Sequence, residues 1–134
     1  MADVTVKKIS EMESLYDGAF VRARAEMGVE SFGMQVMNFP PNFDQYPNHD
    51  HVNDVTDNQE ELYIVLKGKA VLKVGDATFD LEPGVMARVG AAEKRQIITT
   101  DQPVQLLCLG GTPGEAYVSP SWSKLGEGMP ETLE

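Results

Sequence analysis

From Ser31 onward the chain alternates short apolar runs with turn residues, at the spacing of an all-β sandwich or barrel. The runs predict strands over Phe32–Phe39, Glu61–Leu66, Lys69–Val74, Ala77–Leu81, Val85–Val89, Arg95–Thr99 and Val104–Leu109. Gly68 separates the second run from the third, and Gly75-Asp76 offers a tight hairpin before the fourth, so antiparallel neighbours are expected. Pro40-Pro41-Asn42 ends the first run, and Glu82-Pro83-Gly84 sets a sharp turn before another. Leu62 to Leu66 is apolar on both faces, which predicts one side against the barrel interior and the other against a second sheet or subunit. A homodimer is therefore expected.

The ends of the chain read differently. Ser10 and Glu13 match a capping box, and Ala19 to Met27 is rich in helix formers and stops at Gly28, predicting a short helix. The competing reading is a strand, because Val21, Ala23 and Ala25 alternate with Arg22, Arg24 and Glu26. After Gly110-Gly111 the chain turns rich in Gly, Pro and Ser, a coil that Trp122 is placed to anchor. The division expected is an N-terminal extension over 1–30, a barrel core over 31–113, and a C-terminal tail over 114–134, packed on the barrel or on a partner.

With 134 residues the default is one domain with a substantial core. The formal charge of -10 repels phosphate backbones and anionic lipid, which argues against nucleic acid and membrane as partners. Cys108 is alone in an apolar run, so no intrachain disulfide forms and a buried, inert thiol is expected. The first residues lack the pattern of a signal peptide, and no run reaches membrane-spanning length, so the expected location is the cytoplasm. No nucleophile elbow, phosphate loop, dinucleotide fingerprint or cysteine pair occurs, which removes several enzyme classes without naming one.

Chemistry concentrates at His49 and His51, the chain's two histidines, one residue apart. On an extended segment, side chains at i and i+2 share a face about 6–7 Å apart, and a short polar loop leads from them to Glu61. Two imidazoles and a carboxylate can converge on one cavity, and such a set holds a divalent transition metal with positions left open. Tyr63 shares the Glu61 face, where it can line a pocket or pack in the core. Glu60 and Asp50 alternate away from it. Asp54 and Asp57 are further oxygen donors on the intervening loop, and Arg22, Arg24 and Arg88 can bind anions, with surface pairing with the abundant carboxylates the expected fate.

The run His49-Asp50-His51 followed by Glu61-Leu62-Tyr63-Ile64-Val65-Leu66-Lys67-Gly68 resembles the first motif of the cupin superfamily. Gly75, Leu81-Glu82-Pro83-Gly84 and Val89-Gly90-Ala91 resemble the second, and the similarity extends from roughly Phe32 to Pro113. It implies a single jelly-roll β-barrel, commonly dimeric, with a metal site inside. There are two departures. Val52 to Glu60 make a longer gap than the motif usually has, and Arg95 stands where the second motif usually places a metal-binding histidine. A guanidinium cannot ligate a metal and stays charged. Arg95 is left either to pair with Glu61 or to clamp an anionic group of a ligand.

The resemblance therefore implies a divalent metal (Fe, Mn, Ni or Zn) on His49, His51 and Glu61, and a small organic ligand contacted by Arg95 and Tyr63. An enzyme of this kind would be a metal-dependent oxygenase or isomerase, with catalytic residues that the sequence does not name. The alternative is a metal-free sensor or carrier in which Arg95 neutralises Glu61. A third reading is a barrel whose main role is assembly with a partner chain.

Overall fold

A computed structural model of the chain describes residues 2–52 and 58–128. Strands β1 (Ser14–Leu15) and β2 (Phe20–Val21) precede a short helix, α1 (Ala23–Met27). They are followed by β3 (Gly33–Phe39), β4 (Glu60–Gly68), β5 (Ala70–Val74), β6 (Ala77–Leu81), β7 (Met86–Val89), β8 (Gln96–Ile98) and β9 (Val104–Gly111). Two antiparallel sheets result, of order β1-β2-β3-β9-β4-β7 and β6-β5-β8. This is the all-β jelly roll expected from the alternation of apolar runs and turns.

Alternation along the strands decides which side chains fill the space between the sheets. In register across β3, β9 and β4, the rows Met37, Leu106, Val65 and Gln35, Cys108, Tyr63 point inward. Ala70, Leu72, Leu81 and Ile97 meet them from the smaller sheet in one buried cluster. Each fully buried side chain of this kind is worth about 1.5–3 kcal/mol. The outward rows are Met34, Leu109, Leu62 and Val36, Leu107, Ile64. Val21, Ala23 and Val36 form a second buried cluster on that face, beneath Ile9 and Met12 of the N-terminal segment. Leu62 and Ile64 lie farther along it and are half-buried. No helix among the described residues is long and apolar enough to cross a membrane.

Three local expectations are corrected. The Ser10 to Glu13 segment forms only a 3-10 turn, Ile9–Glu11, with no side-chain cap, because the Glu13 carboxylate binds Arg22 and the Gly126 N–H instead. The helix and strand readings of Ala19 to Met27 each hold over part of the segment: Phe20 and Val21 pair with β3, and the helix begins at Ala23 and closes on Gly28 in the left-handed conformation. The strands on either side of Gly68 are not antiparallel neighbours. Gly68 carries the chain from β4 in one sheet to β5 in the other, at φ 82° and so close to Pro103 that an added Cβ would lie 1.9 Å from its carbonyl oxygen. Gly75-Asp76 does connect the antiparallel pair β5 and β6.

Candidate metal and ligand site

The histidine segment is held by the backbone before its side chains matter. His49 and Arg95 exchange N–H to carbonyl hydrogen bonds of 3.0 and 2.8 Å, and the His51 N–H donates to the Ala91 carbonyl at 2.8 Å. These bonds tie the loop before β4 to the start of β8, over the inward face of β4. Alternation then brings both imidazoles to one side, with ring centroids 5.0 Å apart. One ligand atom from each of His49, His51 and Glu61 lies within 4.8 Å of the others. Asp54 and Asp57 lie outside the described residues. Glu60 alternates outward and binds Arg88 at 2.7 Å.

Glu61 is the most heavily contacted of the three. Its Oε1 accepts from the Tyr63 hydroxyl at 2.6 Å and from Arg95 Nη1 at 2.8 Å, while the Cys108 thiol reaches Oε2 at 3.4 Å. His51 Nε2 is 3.0 Å from Oε1, the distance of an ion pair, and both ring nitrogens of His51 are buried. Burial alone would raise the Glu61 carboxyl; the nearby His51, the Tyr63 hydroxyl and Arg95 outweigh it and hold its pKa at about 2. Burial also keeps His49 below the ordinary histidine range, hence neutral at pH 7. Its Nδ1 lies 2.9 Å from the Pro47 carbonyl, so the proton sits there and the Nε2 lone pair is left for a ligand. Burial and Glu61 together push the Cys108 thiol up, leaving it an unreactive lining group.

Arg95 and Tyr63 are both fully buried. The Arg95 guanidinium donates to the Glu93 and Gly90 carbonyls at 2.9 and 2.7 Å as well as to Glu61. Both side chains stand behind Glu61, outside the lining of the two cavities that meet at His49. One of these is a broad opening of about 1400 Å³ that includes Met37, Phe39 and Tyr46. The other is a pocket of about 90 Å³ reaching His51, Glu61 and Cys108.

Sequence reasoning missed part of that pocket. Arg22 and Arg24 are not surface groups as expected but only 3% and 9% exposed, and with Trp122 they line the pocket's far side. Their alternation with apolar residues on Phe20 to Ala25 was visible, but nothing local shows that the C-terminal tail covers them. Cys108 joins the site because β9 pairs with β4 and sets it opposite Tyr63, a contact across distant parts of the chain.

Comparison with solved structures agrees with the architecture. A cupin protein from Bacteroides fragilis superposes with a TM-score of 0.67 at 20% identity, over 88% of this chain and 93% of the other. The chain has the cupin fold. A sugar phosphate isomerase of the cupin superfamily from Silicibacter pomeroyi matches this cupin barrel at a TM-score of 0.64 and 22% identity, over 81% of this chain and 77% of the other. A DMSP lyase from Ruegeria pomeroyi matches at 0.53 and 25% identity, over 73% of this chain but only 46% of the lyase. No protein-family model matches the chain, and no curated protein sequence does.

Proposed function

We propose that this cupin binds a divalent transition metal through His49, His51 and Glu61 and acts on a small organic molecule admitted beside His49. The observation that carries the reading is that one donor atom from each of His49, His51 and Glu61 lies within 4.8 Å of the others, with His51 buried, His49 neutral and Glu61 ionised. A cation among these three donors would take one lone pair from each imidazole and an oxygen of the carboxylate. Bound there, the metal would supply Lewis-acid or dioxygen chemistry to an oxygen-bearing substrate, compatible with an oxygenase or isomerase. The residues around it have distinct tasks. The Pro47 carbonyl fixes the His49 tautomer, and Tyr63 and Arg95 hold Glu61 ionised and oriented.

Elemental analysis of untagged protein tests this. Near-stoichiometric metal in wild type, lost in Glu61→Ala and in the His49→Ala/His51→Ala double variant, is expected; retention by the double variant would sink the assignment. A second reading is favoured by the 2.8 Å Arg95 to Glu61 contact, which already neutralises the carboxylate. There the barrel is a metal-free carrier or sensor of a small molecule. Its mark is a wild type that takes up no metal even on reconstitution but gains it in Arg95→His.

The outward row Leu62, Leu109 and the neighbouring Ile64, Leu107 and Met86, the last 62% exposed, support assembly as a homodimer through this face.

A further inference from the structure

The three donors of the site are reached unequally. The broad opening touches His49 but neither His51 nor Glu61, whereas the pocket of about 90 Å³ reaches all three, together with Cys108. Sites for small organic ligands commonly enclose about 300–1,000 Å³, and one water in the liquid takes about 30 Å³. The closed pocket therefore has room for about three waters. An organic molecule of more than a few heavy atoms enters it only if one of its walls moves.

The walls differ in how they are held. Met34, Gln35, Glu61 and Cys108 stand on β3, β4 and β9, which pair side by side along most of their length, and the histidine loop is tied to Arg95 by two backbone bonds. Tyr117, Pro120, Trp122 and Ser123 come instead from the C-terminal tail. Beyond β9 the described tail joins no sheet and has one 3-10 turn, Ser121–Ser123. Separate contacts hold it down. The Phe20 ring meets Trp122 edge-on at 5.8 Å, and Arg24 Nη2 lies 3.4 Å from the Ser123 oxygens, longer than an ordinary hydrogen bond. Arg22 donates to the Glu127 carbonyl, and the exposed Gly126 N–H donates to Glu13 at 3.0 Å. A segment fastened this way opens at a far lower free energy than a paired sheet. Gly114, at φ 74° just after β9, supplies a pivot in a conformation that glycine adopts readily.

We infer that the tail is a lid: residues 115–128 swing away from the barrel about Gly114 and open the side of the site bounded by His51 and Glu61 to a substrate too large for the closed pocket. Trp122 is the latch, because its indole is the largest apolar group that the tail lays on the barrel. Closed, the lid leaves His51 and Glu61 only 6% and 7% exposed and keeps bulk water from that side of the site. This assignment rests on the reading of the pocket as a ligand site, and it adds the route by which the ligand enters.

Cys108 is the chain's one cysteine, is 3% exposed, and lines the small pocket but not the broad opening, so its thiol reports when the tail side opens. Full-length protein stripped of metal is reacted with methyl methanethiosulfonate across a urea series below the unfolding transition, alongside equilibrium unfolding. Opening a lid exposes little surface, so labelling is expected to be nearly independent of urea, against the steep dependence of global unfolding. Exchange of the buried Trp122 indole N–H, followed by NMR in the same series, identifies the moving wall and is expected to share the flat dependence. Trp122→Ala is expected to label at least about tenfold faster than wild type without urea, the scale of one lost aromatic contact. The inference is overturned if either wild-type signal follows global unfolding throughout, if the thiol of the folded protein reacts as fast as that of the unfolded chain, or if folded Trp122→Ala labels at the wild-type rate. Both wild-type signals need no variant, so a misfolded Trp122→Ala leaves the test intact. Neither signal needs metal: a wild type that takes up no metal defeats the metal site alone, and a metal-binding wild type whose thiol labels only on global unfolding defeats the lid alone.

Discussion

Replacing Glu61 by glutamine keeps the shape and the acceptor oxygen but removes the charge, and the structure sets the size of the effect. Glu61 is 7% exposed and faces His49, His51, Tyr63, Arg95 and Cys108. Its pKa falls from 4.5 to about 2, a difference equivalent to about 3 kcal/mol at 1.36 kcal/mol per unit. Because the folded-state value is depressed, that stability is fully present above about pH 4.5 and is lost as the pH falls toward 2. Glu61→Gln should therefore be less stable than wild type by about 3 kcal/mol at pH 7, lowering Tm by roughly 10 °C for a domain of this size. The two proteins should converge in acid, since only wild type loses this contribution between pH 4.5 and 2. Urea unfolding at a series of pH values, with chelator present so that metal binding does not enter, measures both statements. Parallel pH profiles separated by less than 1 kcal/mol at pH 7 would refute the argument that Glu61 is held ionised by its neighbours.

Gly68→Ala places a Cβ 1.9 Å from the Pro103 carbonyl oxygen at a positive φ, so a loss of at least about 2 kcal/mol is expected in denaturant titration. Tyr63→Phe removes the 2.6 Å donor to Glu61 and should cost about 1.5–3 kcal/mol, with the acid transition of wild type moved to higher pH. If the outward sheet face is a dimer contact, Ile64→Lys should halve the mass seen by light scattering; an unchanged mass, whether monomer or dimer, would place the interface elsewhere or remove it. Trp122→Ala should lower Tm, and proteolysis should begin near the tail, because the edge-on contact with Phe20 is lost.

Local signals carried most of the strands. Apolar runs bounded by Gly, Pro and Asn matched the observed elements to within a residue or two, and Ala77–Leu81 coincided. Period-2 alternation is a property of neighbouring residues, so it already placed His49 with His51 and turned Glu60 away from Glu61. The motifs from His49 to Ala91 likewise carried the cupin resemblance, with the Val52 to Glu60 gap and Arg95 marked as the departures. What pairs with what was not local. The runs on either side of Gly68 read as antiparallel neighbours, yet β4 lies between β9 and β7, and β5 lies in the other sheet, because the jelly roll exchanges sheets at that turn. Arg22 and Arg24 read as surface charges because composition cannot show that Ser123 and Glu127, about a hundred residues later, close over them. Pairing of Arg95 with Glu61 and the meeting of Cys108, Trp122 and the histidines around one pocket likewise depend on contacts far apart in the chain. Strand pattern and donor types follow from residues close together in the chain; which donors lost their water and which found partners depends on contacts between distant segments, because desolvation is set by what packs over a group.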